Sequence, residues 1–435
     1  MLLSLIGLSI LLIIFATVYL NWHPAWALLM ACLLVGWGSG QDMTLLFMTI
    51  GTGFGSLLGK IGLIIVFGAI LGVTLEKTGG AVTLADALIG TLGKRFPALT
   101  MAVVGAVVSI PVFCDSGFII LSRLNRRLAK RTGISPASLF LALAAGLYLT
   151  HNLVPPTPGP VTAAANLEAS QHLGSIILLG LLVSLPVLLV AWWWSRWQGK
   201  QITLAEASAE EVELDHTPPP LWRVLPSLLV PILLLAFGTV WQDNPIWQVL
   251  GQAPVALLLG VLFGFVLLAW PKREQWSAWT AQGIQLAGPI LFITGLGGSF
   301  GAILVASGVE KVVRELFSDV GGSGSFLLLS AFLLAAILKT AQGSSTSALV
   351  VSSAVLAPVV EAVGFTDPLA LSLLVTTIGS GAMAISHAND SYFWVVTQFS
   401  DFSLQDAYRS YSVMTFLMGL TGLLTCLLLN FLLLT

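Results

Sequence analysis

The stretch HNLVPPTPGP at residues 151–160 puts a histidine, an asparagine and four prolines inside sequence that is otherwise continuously apolar. Proline removes a backbone donor and cannot continue a helix, so this segment predicts a helix interrupted in the middle of a membrane. Backbone groups freed at that depth persist only where they line a cavity or grip a ligand. A second polar interruption, SHANDS at 386–391, occupies the corresponding part of the other half of the chain. Paired breaks of this kind point to the binding site of a secondary transporter.

The rest of the composition agrees. Of 435 residues, 57% are hydrophobic and 9% charged, against about 25% charged in a typical soluble domain. A formal net charge of −2 removes any electrostatic case for a nucleic-acid partner. Lipid is the expected surroundings. The apolar runs are long and lack the two-residue alternation of a barrel, so they predict α-helical spans. Cys32, Cys114 and Cys426 sit in such runs and read as small hydrophobes, with no disulfide framework and no metal-ligand spacing. The N-terminal run MLLSLIGLSILLIIFATVYL lacks a basic leader and a small-residue cleavage site, and reads as a retained span. No GxxxxGK[ST] loop and no HExxH pattern occur, which argues against ATP-driven transport and against an embedded enzyme. No cofactor is expected. An open channel is the remaining rival, but buried titratable residues favour coupled transport.

Basic residues set the orientation. Lys94 and Arg95 precede one apolar arm, and Arg123, Arg126, Arg127, Lys130 and Arg131 follow the next. Both ends of that hairpin should be cytoplasmic, which makes it re-entrant, with its tip at CDSG, 114–117. The second hairpin, 326–363, turns at QGSST, 342–346, between flanks bearing Glu310, Lys311, Arg314, Glu315 and Asp319 on one side and Glu361 and Asp367 on the other. That mixed-to-acidic pattern suits the opposite face of the membrane. FGAIL at 67–71 returns at 300–304, an offset of 300 − 67 = 233, and His151 and His387 are 236 apart. The expected architecture is an all-α polytopic membrane protein made of inverted repeats, with about ten crossings, two re-entrant hairpins and two broken helices. Its divisions would be a first repeat over 1–194, a cytoplasmic linker over 195–222 and a second repeat over 223–435. The transport elements would lie within 97–170 and 326–400. Both termini should be periplasmic in a multi-pass protein of the bacterial inner membrane.

Inversion brings the hairpin tips and the breaks together at mid-depth. The candidate substrate contacts are Ser116, Asn152, Thr157, Lys339, Gly343, Ser344, Ser345, Thr346, Asn389 and Ser391. Hydroxyls and amides both donate and accept, which suits a hydroxylated substrate, and half-helix N-termini suit its carboxylate. A buried carboxylate costs several kcal/mol unless paired, protonated or cation-bound. Asp115 and Asp390 are therefore candidates for proton or cation coupling, with helix capping as the rival role. His151 and His387 are candidate relays, with hydrogen-bonded structural roles equally open. Lys339 needs a partner or a route to water: an anionic substrate, a salt bridge to Asp390 or Asp115, or snorkelling towards the surface. Lys60 reads as interfacial, and WWWSRW at 192–197 as an aromatic belt.

HNLVPPTPGPVTAAANL, FCDSGFIIL, QGSSTSALV and SHANDSYFWVV resemble signature segments of the gluconate permease family, within the wider ion-transporter superfamily. Matching segments run in order from about residue 50 to 415. The resemblance implies proton symport of gluconate or a related sugar acid, with relatives that carry D-serine or short hydroxy acids. It also implies a scaffold that forms a homodimer and an elevator-type transport domain holding both hairpins. Thr157 and the pair Asp115-Ser116 depart from what many members carry, and both lie at the inferred pocket. Sodium coupling is the alternative to protons, since hydroxyls and carbonyls at hairpin tips also suit that ion.

Overall fold

A computed structural model describes residues 2–20, 22–93, 95–204, 218–241, 244–308 and 324–434; among them there are helices and no strand. The elements are α1 (Leu2–Val18), α2 (Pro24–Gly38), α3 (Met43–Lys77), α4 (Gly80–Leu92), α5 (Pro97–Val108), α6 (Cys114–Thr132), α7 (Pro136–Leu153), α8 (Pro158–Asn166) and α9 (Leu173–Gly199). After the linker come α10 (Leu221–Val240), α11 (Pro245–Leu250), α12 (Ala253–Leu268) and α13 (Trp276–Ala306). The last five are α14 (Gly324–Gln342), α15 (Ser345–Ala362), α16 (Pro368–Ala382), α17 (Ser391–Phe399) and α18 (Leu404–Leu434). Proline stands at the first helical position of α2, α5, α7, α8 and α16, where its missing N–H leaves no bond unmade. Asp42 and Asp367 cap α3 and α16 by accepting from two backbone N–H groups each.

The second half repeats the order of the first. Helix starts are separated by 276 − 43 = 233 for α3 and α13, 368 − 136 = 232 for α7 and α16, and 391 − 158 = 233 for α8 and α17. The packing repeats as well. Hairpin arm α5 lies on α7 as α14 lies on α16, and each hairpin's returning arm packs on the half-helix of the other half, α15 on α8 and α6 on α17. The fold is thus an inverted-repeat transporter architecture with two re-entrant hairpins (α5–α6 and α14–α15) and two broken helices (α7–α8 and α16–α17). Among the described residues, eight helical stretches are long and apolar enough to cross a bilayer.

The long helices α3 and α13 pack side by side at the seam between the repeats. Gly53 permits this approach: a Cβ there would stand 2.8 Å from the Gly298 carbonyl oxygen. The two halves are not placed symmetrically about this pair. Helix α13 packs broadly on α15, whereas the equivalent pair, α3 and α6, barely touches. Ion pairs differ too. Glu168 and Asp401, 233 residues apart (401 − 168), both adopt left-handed backbone, φ 58° and 56°. Glu168 is paired with Lys60 of α3 at 2.7 Å, and Asp401 with Arg126 of α6 at 2.7 Å.

One sequence expectation needs correction. The turn of the first hairpin is Ser109–Phe113, and CDSG (114–117) forms the first turn of the returning arm α6. Pro111 ends the helix inside an apolar run, so the polar tetrapeptide was the more visible but wrong marker. Lys60 lies mid-helix in α3 and pairs with Glu168 just beyond the end of α8. The middle of the linker (205–217) and the hairpin flank holding Glu310, Lys311, Arg314, Glu315 and Asp319 lie outside the described residues. In the tryptophan cluster, Trp193 and Trp197 are exposed, and the Arg196 guanidinium lies 5.7 Å from the Trp192 ring.

Candidate functional site

The second hairpin and the second break are stitched together. Helix α14 ends at Gln342, Gly343 turns the chain with φ 74°, and Ser344 caps α15 by accepting from the Ser347 N–H at 3.2 Å. Only glycine fits this turn, because a Cβ would also run into the Asn389 carbonyl. The break between α16 and α17 supplies the other face. His387 Nε2 donates to the Thr340 carbonyl at 2.9 Å, and Asn389 Nδ2 donates to the carbonyls of Thr340 and Ala341 at 2.8 and 3.2 Å.

A buried ion pair sits at the centre of this joint. Lys339 is 1% exposed and Asp390 4%. Lys339 Nζ donates to Asp390 Oδ2 at 2.6 Å and to the Gly343 carbonyl at 2.8 Å, and lies 5.7 Å from the centre of the Tyr148 ring. Asp390 Oδ2 also accepts from the Ser386 hydroxyl at 2.5 Å, while Oδ1 caps α17 by accepting from the Tyr392 N–H at 3.1 Å. A buried pair survives desolvation only when its remaining donors and acceptors are also satisfied, and here they are. Both partners considered for Lys339 at the sequence level were acidic or anionic; the structure selects Asp390. Asp390 serves as ion-pair partner and helix cap at once.

Aromatic rings tie this centre to the first half. Tyr148 of α7 stacks on Tyr392 of α17 with centroids 5.3 Å apart, and Phe118 of α6 meets Tyr392 edge-on at 6.1 Å. Asp115, in the first turn of α6, and His151, in the last turn of α7, both lie within electrostatic reach of Asp390 and Lys339. Asp115 makes no salt bridge among the described residues; its Oδ2 has only the Cys114 thiol at 3.9 Å and its buried Oδ1 has no partner. His151 Nδ1 and Asn152 Oδ1 are likewise buried without a partner. Asn152 Nδ2 donates to the Tyr148 carbonyl at 2.7 Å, and the Thr157 hydroxyl to the Val154 carbonyl at 2.7 Å. His151, Thr157 and the hairpin turn Ile110–Phe113 border a cavity of about 20 Å³ facing α3, room for one water.

Polar breaks in mid-membrane, two hairpins and a buried charge centre describe a solute pathway, and the comparisons agree. The family model for GntP family permease matches residues 1–432. The chain belongs to the GntP permease family. The permease is 32% identical over 429 residues to the inner membrane permease YgbN of Escherichia coli K12, with 92% of each chain covered. It is 31% identical over 451 residues to a gluconate permease of Pseudomonas aeruginosa, covering 99% of this chain and 96% of that one. It is 29% identical over 421 residues to the Gnt-II system L-idonate transporter of E. coli, with 93% of each covered. Its fold is similar to the crystal structure of the Alcanivorax borkumensis YdaH transporter, with a TM-score of 0.70 at 17% identity, over 94% of this chain and 98% of that one. The permease is a membrane-embedded transporter and not an enzyme.

The candidate residues fall into three groups in this fold. Lys339, Gly343, His387, Asn389 and Asp390 meet directly at the joint. Asp115, His151, Asn152 and Thr157 line the first-half side of the same region. Ser344, Ser345, Thr346 and Ser116 occupy the first turns of α15 and α6 or the cap just before, while Ser391 begins α17 with an exposed side chain. The sequence reading placed Ser386 at the second break without a role, and its hydroxyl completes the Asp390 shell; it passed over the tyrosines that wall the ion pair. Tyr148 carried a usable signal, being one turn before His151.

Proposed function

We propose that this permease imports a small hydroxylated monocarboxylate, gluconate or a related sugar acid such as idonate, by proton symport. One observation carries the reading: a buried lysine held by Asp390, with the unpaired carboxylate of Asp115 nearby, at the meeting point of both hairpins and both breaks. The names of the Pseudomonas and E. coli relatives support the substrate class.

The chemistry follows from charge balance. A proton placed on Asp390 removes the counter-charge of Lys339, and the bare ammonium then favours an incoming carboxylate. Proton and anion therefore assist each other's binding, which is the coupling that symport needs. Asp115 takes a second proton on the opposite side of the site, and His151 and His387 are relays. The substrate hydroxyls meet Ser116, Asn152, Thr157, Gly343, Ser344, Ser345, Thr346, Asn389 and Ser391. Segments 97–170 and 326–400 then move as one body against the rest of the two repeats, 1–194 and 223–435, in a homodimer with both termini periplasmic.

Proteoliposomes test this. Gluconate uptake should rise with an inward proton gradient and collapse with a protonophore. Uptake that follows a sodium gradient and ignores the protonophore assigns the coupling to sodium and ends the proton reading. Accessibility of single cysteines at the two ends of the chain tests the orientation.

A further inference from the structure

The tip of the second hairpin satisfies its polar groups with one exception. Lys339 is bonded as described, the Thr340 hydroxyl donates to the Ala336 carbonyl at 2.7 Å, the carbonyls of Thr340, Ala341 and Gly343 are all taken, and Ser344 caps α15. At this tip, Gln342 has both ends of its amide, Oε1 and Nε2, buried and without a partner. It stands three residues after Lys339 on α14, hence on the same helix face, the one turned to Asp390 and Tyr148. Burying an amide without a protein partner opposes folding, so an amide held in that state beside the charge centre calls for a role in binding.

We infer that Gln342 is a specificity-determining residue that reads a hydroxyl group of the substrate, an assignment resting on the sugar-acid reading above. A primary amide offers two donors and an acceptor in one plane, which matches the donor–acceptor pattern of vicinal hydroxyls. It carries no charge and so does little for the carboxylate, which the ammonium of Lys339 serves. The site thereby divides its recognition: charge is sensed by Lys339, hydroxylation by Gln342. A site built to bond a hydroxyl rejects the analogue that lacks it far more sharply than an apolar pocket rejects a missing methylene.

The test is a double-mutant cycle between protein and ligand, run on the full-length permease in detergent. Binding of D-gluconate and of each monodeoxy-gluconate is measured on wild type, Gln342→Met and Gln342→Leu. At least one monodeoxy analogue should bind wild type about 10-fold or more weakly than gluconate, and that gap should close in Gln342→Met. The thermal midpoint should hold or rise, because a partnerless amide has been replaced by an apolar side chain of similar length. If wild type binds gluconate and every deoxy gap survives in both variants, the assignment fails and the sugar-acid reading stands. A thermal midpoint that falls in both variants also overturns it, since the amide would then be bonded within the protein. Should wild type bind no polyhydroxy acid at all, the sugar-acid reading fails and this assignment with it.

Discussion

The two breaks of this permease share a position in the repeat and differ in how their polar groups are employed. At the second, Lys339, Asp390, Ser386, His387 and Asn389 bind one another and the hairpin tip. At the first, Asp115 Oδ1, His151 Nδ1 and Asn152 Oδ1 are buried without partners, and the hairpin meets the break through Phe113 and His151 rings 6.3 Å apart. Duplication thus supplied two similar frames, the second closed by internal bonds except at the Gln342 amide and the first left with spare bonding capacity at several residues. The bonded half should be sensitive in stability, the spare half in transport.

That contrast is easiest to break at Lys339. Lys339→Met strands the buried Asp390 carboxylate and should lower stability by about 3–5 kcal/mol, read as a fall in the thermal midpoint of purified protein. Lys339→Met combined with Asp390→Leu should recover much of that loss without restoring uptake. Equal stability of wild type and Lys339→Met would remove the ion pair from any structural role. Gly343→Ala comes next, at roughly 1–3 kcal/mol or more, because it combines left-handed backbone with a collision against the Asn389 carbonyl. The matching substitution Gly133→Ala, at φ 67° with open space around it, should cost only about 1 kcal/mol.

On the spare side, Asp115→Asn should leave stability, read by the thermal midpoint, within about 1 kcal/mol of wild type, since no ion pair is lost. Proton-driven accumulation should fall to what the single proton on Asp390 sustains, while gluconate counterflow persists. A large loss of stability with intact accumulation would reverse the roles of the two halves. The smallest effect is expected at Lys60→Gln, where an exposed pair is severed and less than about 1 kcal/mol should change.

Much of this was readable in the chain. The prolines of 155–160 and the polar run 386–391 mark the breaks because nothing else stops a helix in lipid so visibly. Gly343, set between Gln342 and Ser344, marks the second turn for the same reason. The first turn escaped because SIPVF at 109–113 is apolar, and a single proline within a hydrophobic run is easily absorbed into a span. Pairings were legible only as alternatives. Lys339 and Asp390 are 51 residues apart and Lys60 and Glu168 are 108 apart, and sequence spacing carries no information on contacts made through tertiary packing. The idle amide of Gln342 was invisible for a similar reason: whether a glutamine finds a partner depends on every neighbour it fails to meet.

Glu168 and Asp401 adopt the same unusual backbone but grasp different helices. Arg126–Asp401 joins α6 to the residues just after α17, so in the proposed movement of the two hairpins it would stay intact. Lys60–Glu168 spans from α3 to the end of α8, with side chains 40% and 79% exposed, and any slide of α8 along α3 must release it. A clasp so open to solvent holds with little force. If the proposed movement takes place, resistance to it would reside in the greasy surfaces of α8 and α15 against α3 and α13, and lipid or temperature should govern its pace more than salt does.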